Sequence, residues 1–256
     1  MSIRYLSDIN SRAGMIIRIL QIFRRTILMV LCCRLAAMYT RPVYGQTVDV
    51  SAKVVIHDGP HASKKHSIAP DVVVWLSPLQ PVESKPQPHA PFRLLQKNKQ
   101  FTPHLLVVPT GSSVEFPNED PFFHNVFSLF NGKRFDLGLY ESGASRSVKF
   151  DQEGASYIFC NIHPEMGAIV LALSSPFYAV SSNNGEIIIH NVPPGTYRLH
   201  IWSERAKVNS RNIPREVQIS ASTANLGEID MQVTSSSFAD HKNKFGEDYR
   251  NSRTTY

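Results

Sequence analysis

Cysteine is scarce in this 256-residue chain, which holds three, and two of them, Cys32 and Cys33, lie within the first 45 residues. Beyond residue 45 only Cys160 remains, so that part of the chain cannot form an intramolecular disulfide. The sequence also lacks a Cys-x-x-Cys-His motif. These absences exclude a disulfide-stapled scaffold and a c-type haem protein.

An excess of one sign of charge is confined to the first 45 residues of the chain. Residues 1–45 hold seven of the 27 Lys and Arg but one of the 21 acidic residues, so the remainder carries 20 of each. The pI near 9.3 therefore reflects the N-terminus alone. A remainder without net charge does not form the basic surface that a polyanion needs, and we exclude nucleic acid as a partner.

The N-terminal 45 residues have the pattern of an export signal. Several arginines precede the apolar run Ile27–Cys33, and residues 43–45 form a candidate cleavage site. Arg34 ends the run well short of the ~20 residues that a membrane span requires. Residues 23–28 also resemble a twin-arginine signal, and a retained basic arm is the alternative. We expect a periplasmic or otherwise exported protein without a transmembrane span in its mature form.

Short runs of β-branched and aromatic residues, separated by Pro, Gly and Asn, predict an all-β chain. A composition shift near residue 174 divides a first β-sandwich at 46–174 from a smaller one at 175–233. Strands within 47–76 are open to pairing with either sandwich. The polar residues 234–256 predict a disordered tail.

Four residues carry candidate metal chemistry. Cys160, His163 and Met166 follow one another at intervals of three in a single predicted turn, and His124 lies on an earlier strand. Two imidazoles and a thiolate with a weak thioether form the ligand set of a mononuclear type 1 (blue) copper centre. Each residue alone is more often part of a core, but the combination predicts one copper ion. Zinc is the alternative, although structural zinc sites usually have four strong ligands.

The surroundings of these ligands are predicted from their neighbours in the sequence. We expect Asn125 to tie the strand of His124 to the turn, and Phe122, Phe123 and Phe159 to form a dry apolar shell. The His-x-His and His-Cys-His motifs of multicopper oxidases are absent. Because protein ligands fill every position of the predicted centre, no position is open for a substrate, and we predict that the chain is not an enzyme.

These residues resemble the cupredoxin family, in particular blue copper proteins of the plastocyanin and amicyanin type. The resemblance covers roughly residues 92–174 and rests on a segment approaching His124 and on the turn, namely Phe101-x-Pro103, Thr110-Gly111, Asn118-x-Asp120, His124-Asn125 and Cys160-x-x-His163-Pro164-x-Met166. It implies a cupredoxin-like Greek-key β-sandwich with His124, Cys160, His163 and Met166 as ligands. It also implies single-electron transfer between redox partner proteins, through an apolar face beside His163. Glu165 departs from the less polar residue usual at its position.

Residues 176–233 resemble a carboxypeptidase-regulatory, transthyretin-like sandwich, through Asn184-Gly185-Glu186-Ile187 and Val192-Pro193-Pro194-Gly195. The pairing of the two sandwiches resembles bacterial exported proteins labelled methylamine utilisation proteins, a label from which we carry over no methylamine role. Two other functions stay open at this point. In one, the chain is a copper carrier or buffer without a redox role. In the other, it is a structural interaction module in which metal binding is incidental.

Overall fold

The computed structural model describes residues 24, 47–58, 65–66, 71–82, 91–129, 132–205, 215–233 and 241–249. Apart from residue 24, the predicted signal peptide at 1–45 lies outside the described residues. Residues Gln46–Tyr256 cluster as one compact unit. Within the described part of the chain, no helix is both long and apolar enough to cross a membrane.

The described residues of that unit form an all-β structure, as the sequence predicts. Its strands are β1 (Val48–Asp58), β2 (Lys65–His66), β3 (Val73–Pro78), β4 (Phe92–Arg93), β5 (Leu95–Lys97), β6 (Gln100–Thr102), β7 (Leu105–Pro109), β8 (Ser112–Pro117), β9 (His124–Ser128), β10 (Phe135–Tyr140), β11 (Ser145–Phe150), β12 (Gly154–Cys160), β13 (Gly167–Leu173), β14 (Tyr178–Val180), β15 (Glu186–Val192), β16 (Gly195–Trp202), β17 (Arg215–Ile219) and β18 (Asn225–Val233).

The first sandwich, β4 to β13, packs a five-stranded sheet against a three-stranded one. The larger sheet has the order β10-β9-β12-β13-β7 and the smaller one β11-β8-β4, with β5 and β6 forming a separate hairpin. Side chains from both sheets meet in one buried cluster that includes Val114, Phe116, Phe150, Ile158 and Val170. Because side chains alternate along a strand, Ile158 and Cys160 of β12 and alternate residues of β13 enter this cluster.

The second sandwich consists of β1 to β3 and β14 to β18. Its sheets have the orders β15-β1-β18, with β2 paired to β1, and β14-β3-β16-β17. β1 pairs with β15 and β18, and β3 pairs with β14 and β16. The N-terminal strands thus pair with the second sandwich, which is one of the two pairings that the sequence leaves open for residues 47–76. Their partner strands lie more than 100 residues away, so local sequence patterns do not choose between the two sandwiches.

The two sandwiches meet through a third apolar cluster. Alternate residues of β13, Ile169 and Leu171 among them, face away from the first core and contact Trp75 of β3 and Trp202 of β16. β13 is therefore buried on both faces, which explains why its sequence is continuously apolar rather than alternating. Covering this face removes apolar surface from water and joins the sandwiches through their sheets.

Residues 241–249 differ from the disordered tail predicted at 234–256. They form a turn in which the backbone N–H groups of Phe245 and Glu247 donate to Asn243 Oδ1 at 2.9 and 3.0 Å. The backbone N–H of Asn243 donates to the carbonyl of Glu247 at 2.9 Å. An Asn that hydrogen-bonds the backbone ahead of it stabilises a turn within an otherwise polar sequence. The rest of the predicted tail lies outside the described residues.

Candidate metal centre

The turn between β12 and β13 places Cys160 and His163 at one end of the first sandwich. Cys160 is the last residue of β12, and its inward side chain is fully buried in the first core. The Cys160 N–H donates to the Met166 carbonyl at 3.3 Å, and the Met166 N–H donates to the His163 carbonyl at 3.0 Å. These bonds close a tight turn, so His163 lies back beside Cys160 at the end of β12.

His124 reaches the same place from the neighbouring strand. It is the first residue of β9, which pairs with β12 so that Val126 lies opposite Cys160. The His124 side chain is fully buried. A backbone hydrogen bond from the Asn161 N–H to the Asn125 carbonyl, 2.9 Å long, ties the two strands together beside it.

The three donor atoms form a compact triangle. Cys160 Sγ lies 3.6 Å from His124 Nδ1 and 3.6 Å from His163 Nδ1, and the two Nδ1 atoms are 3.1 Å apart. Within the described residues, these three side chains are the group of His, Cys and acidic residues whose donor atoms converge in this way. The sequence predicted all three as ligands, and the structure brings them together.

The triangle has the dimensions that a single ion needs. Imidazole nitrogens about 2.0 Å and a sulfur about 2.3 Å from one ion stand roughly 3 to 4 Å from each other. The three separations, 3.1 to 3.6 Å, fall within that range. Each donor is soft or borderline, which suits copper or zinc rather than a hard cation such as Ca²⁺.

Met166, the fourth predicted ligand, lies at the end of the turn. Its side chain is fully buried in the same cluster as Cys160. The residue directly precedes β13, and its backbone N–H and carbonyl both bond to the ligand turn. A thioether in this position is available as a weak neutral donor or as apolar packing, and both uses keep water away from the thiol.

Asp120 is a site residue that the sequence analysis did not assign. His124 Nε2 lies 2.9 Å from Asp120 Oδ2, and both side chains are at least 95% buried. Because an ionised carboxylate only accepts hydrogen bonds, Nε2 carries the hydrogen and Nδ1 is left with a free lone pair. Asp120 therefore fixes the tautomer of His124 that can bind a metal through Nδ1.

The charge of Asp120 is maintained by its other contacts. Burial by itself would raise the pKa of this carboxyl group. The backbone N–H groups of Lys99 and Asn98, at 3.0 and 2.6 Å, and the ring of His124 outweigh burial and lower the pKa below its usual value. Asp120 is consequently ionised at neutral pH, buried, and held by donors on three sides.

The protonation of the other donors follows from burial. Burial raises the pKa of the Cys160 thiol, although the backbone N–H groups of Asn125, Ile162 and His163 counteract it. Burial, followed by the nearby ring of His124, lowers the pKa of His163. The metal-free site thus holds a protonated thiol and a neutral His163, and metal binding has to displace the thiol proton.

The predicted neighbours of the ligands divide into two groups. The Phe122 ring covers both histidines, with its centroid 5.4 Å from that of His124 and 5.3 Å from that of His163. Asn125 ties the strands through its backbone carbonyl, whereas its side-chain nitrogen donates to Asp136 Oδ1 at 2.6 Å. Phe122 and Asn125 therefore lie beside the donor triangle.

Phe123 and Phe159 do not belong to that shell, which corrects the prediction. Phe123 is 54% exposed, and Phe159 packs on Phe127 on the outer face of the larger sheet. Phe123 directly precedes His124, and Phe159 directly precedes Cys160. Because neighbouring side chains of an extended chain point to opposite sides, both face away from the donors.

The chain was compared with known proteins. No protein-family model matches it, and no curated protein does. It is similar to a copper-containing nitrite reductase from Thermus scotoductus SA-01, at 24% identity with a TM-score of 0.33, over 38% of this chain and 25% of that one. A purple cupredoxin from Nitrosopumilus maritimus shows 23% identity and a TM-score of 0.30, over 32% of this chain and 100% of that one. A reduced-state variant of amicyanin shows 20% identity and a TM-score of 0.31, over 33% and 83%.

Proposed function

We propose that this chain is an exported copper protein that transfers single electrons between redox partner proteins through a mononuclear type 1 centre. His124, Cys160 and His163 would be the strong ligands, and Met166 would be a weaker one. The observation that carries the proposal is the donor triangle, in which one sulfur and two nitrogens lie within 3.6 Å of each other. This donor set is the one that type 1 copper uses.

The side chains would provide a site that suits both oxidation states. Copper held by these residues would supply reversible one-electron exchange. The thiolate of Cys160 suits the cuprous ion, and the two imidazoles suit either state. Burial of Cys160 and His124 keeps water out, and Asp120 orients His124. A site held by strand ends and backbone hydrogen bonds would need little rearrangement when an electron arrives or leaves.

Electron transfer agrees with the site better than catalysis does. A catalytic metal needs a coordination position that is open to substrate, and the proposed ligand set leaves none. His163 is the donor residue that lies nearest the surface, since it is only partly buried whereas the other two are fully buried. We propose that electrons pass through the edge of this residue, and that the redox partners bind there.

A copper carrier or buffer is the second candidate, and an anaerobic redox titration separates the two functions. An electron-transfer centre should be reduced and reoxidised over repeated cycles with its copper retained. A carrier should lose copper to a competing chelator within one cycle. Retention of copper without any reversible one-electron wave would contradict the proposed function.

The export signal and the role of the second sandwich are further parts of the proposal. Arginines ahead of a short apolar run support export, and N-terminal sequencing of the protein secreted from its host tests cleavage near residue 45. Among the described residues, the convergent His and Cys donors lie in the first sandwich, and the second buries its own hydrophobic cluster, which supports a structural role for it beside the first.

A further inference from the structure

The C-terminal segment 241–249, called the strap below, contacts the backbone of the ligand turn. Tyr249 Oη donates a hydrogen bond to the carbonyl of Cys160 at 2.9 Å. The backbone N–H of Lys244 donates to Asn161 Oδ1 at 3.0 Å. The strap therefore holds two consecutive residues where the turn begins, Cys160 and Asn161, although it lies about 80 residues further along the chain.

A salt bridge ties the strap to the other ligand strand. Lys244 Nζ lies 2.8 Å from Asp136 Oδ2, and Asp136 Oδ1 accepts the 2.6 Å hydrogen bond from the side chain of Asn125. Asn125 directly follows His124 in β9. The strap is thus connected to both strands that supply donor atoms, β9 through Asp136 and β12 through Cys160.

The start of the strap packs on the outer face of the larger sheet. The His241 ring stacks on Phe159 with a centroid distance of 4.0 Å and an interplanar angle of 12°. His241 Nε2 also lies 3.1 Å from Tyr249 Oη, so the two ends of the strap contact each other. Phe159 precedes Cys160, which means that the strap contacts the chain on both sides of the sulfur-bearing residue.

The contacts of the strap complement those within the turn. The turn's own bonds use the N–H of Cys160 and the N–H of Asn161. The Cys160 carbonyl and the Asn161 side chain, which those bonds leave unused, are the groups that the strap contacts. Without the strap, these two groups would be free to reorient, and with them the peptide that follows the sulfur-bearing residue.

We propose that the strap is a positioning element of the metal centre, which restrains the ligand turn so that the donors keep one arrangement whether the ion is oxidised, reduced or lost. This inference rests on the proposed copper function. Cupric ions favour tetragonal geometry, and a turn free to relax would approach it. Restraint therefore stabilises the cuprous form relative to the cupric form and slows escape of the ion.

The test compares the full chain with two variants, Tyr249→Phe and a deletion of residues 241–256. Each protein is loaded with one equivalent of copper and reduced, and transfer of Cu(I) to bathocuproine disulfonate is followed by stopped flow. We expect transfer to become about fivefold faster in Tyr249→Phe, the effect of one net hydrogen bond, and more than about tenfold faster in the deletion. The reduction potential of the deletion should fall by about 59 mV for each tenfold shift in the ratio of cuprous to cupric affinity.

Two matched controls isolate the strap. A deletion of residues 252–256 shortens the chain while keeping Tyr249, and Tyr178→Phe removes a hydroxyl from β14 in the second sandwich. Both should release copper at the wild-type rate. Thermal unfolding of each metal-free protein is measured alongside, because a segment with a purely structural role would lower the melting temperature without changing release rate or potential.

The outcomes separate this inference from the proposed function. If wild-type protein with cupric ion shows no intense thiolate-to-copper band, the copper function fails and the inference fails with it. If the band is present but the deletion and Tyr249→Phe match the wild type in release rate and potential, only the inference is overturned. Faster release with a lower potential, and neither change in the controls, supports it.

Discussion

The two sandwiches share an architecture but differ at their inward-facing positions. In the first, the buried cluster at one end contains Cys160 and Met166, and His124 lies beside it. In the second, the buried cluster holds aliphatic and aromatic side chains with one thioether, Met231, and its Tyr197 hydroxyl donates to the Pro193 carbonyl at 2.8 Å. The two-sheet fold therefore does not determine the chemistry. Donor atoms placed where strands end determine it.

Removing the thiolate should have the largest effect on metal binding. Cys160→Ser replaces a soft donor by a hard hydroxyl, so we expect complete loss of the charge-transfer band and of tight copper binding. Met166→Leu, which conserves volume, is the matched control and should keep the band. Visible absorption after addition of cupric ion measures both. A Cys160→Ser variant that keeps its colour would show that the ion binds elsewhere. Cys160 would then not be what distinguishes the first sandwich from the second.

Removing the carboxylate behind His124 should have the next largest effect. Asp120→Ala leaves the buried Nε2–H of His124 without its acceptor and releases the ring from one tautomer. We expect copper affinity to fall about 10- to 100-fold, measured by competition with a chelator of known affinity. Glu119→Ala is the control, because Glu119 pairs with Lys97 at the surface. Equal losses in the two variants would contradict the orienting role of Asp120.

The effect of pH on metal affinity should be smaller, and affinity should rise as the pH rises. Because burial raises the pKa of the Cys160 thiol, this group keeps its proton at neutral pH in the metal-free protein and gives it up to bind the ion. Affinity should therefore rise by about tenfold per pH unit between about pH 7 and 8 from this group alone. Calorimetry in buffers of different ionisation enthalpy measures the proton released. Affinity that falls with rising pH in this interval would contradict a thiolate ligand.

A cavity in the second core should have the smallest effect on the metal centre. Ile187→Ala removes a fully buried side chain from the second sandwich, and we expect the free energy of unfolding to fall by about 2 to 5 kcal/mol. The absorption spectrum of the copper form should not change. Ile188, its neighbour on β15, is 51% exposed, so Ile188→Ala is the matched control for stability. A spectrum altered by Ile187→Ala would show that the second core supports the site.

The sequence predicts two members of the donor triangle from local information, because Cys160 and His163 lie three residues apart in a short turn between two strands. The third, His124, comes from the separate strand β9. Side chains alternate between the two sides of an extended segment, so Phe123 and Phe159 face away from the donor residues that follow them. The prediction that they form the apolar shell is wrong because neighbours in the sequence do not face the same side of the chain.

Other features depend on tertiary contacts. The pairing of β1 with β15 and β18 joins strands more than 130 residues apart. The contact of Asp120 with His124 depends on how the chain turns between them, and the strap is ordered by partners on the ligand turn. The polar composition of residues 234–256 predicts disorder, because an average over the segment gives no weight to single contacts such as those of Tyr249 and His241.

X-ray absorption spectroscopy at the copper edge tests the central claim most directly, because it counts the atoms bound to the ion. With one equivalent of copper, we predict one short bond to sulfur and two bonds to imidazole nitrogens, from Cys160, His124 and His163. The sulfur contribution should disappear in Cys160→Ser. A first coordination shell of oxygen and nitrogen alone in the wild-type protein would contradict a copper centre at this turn.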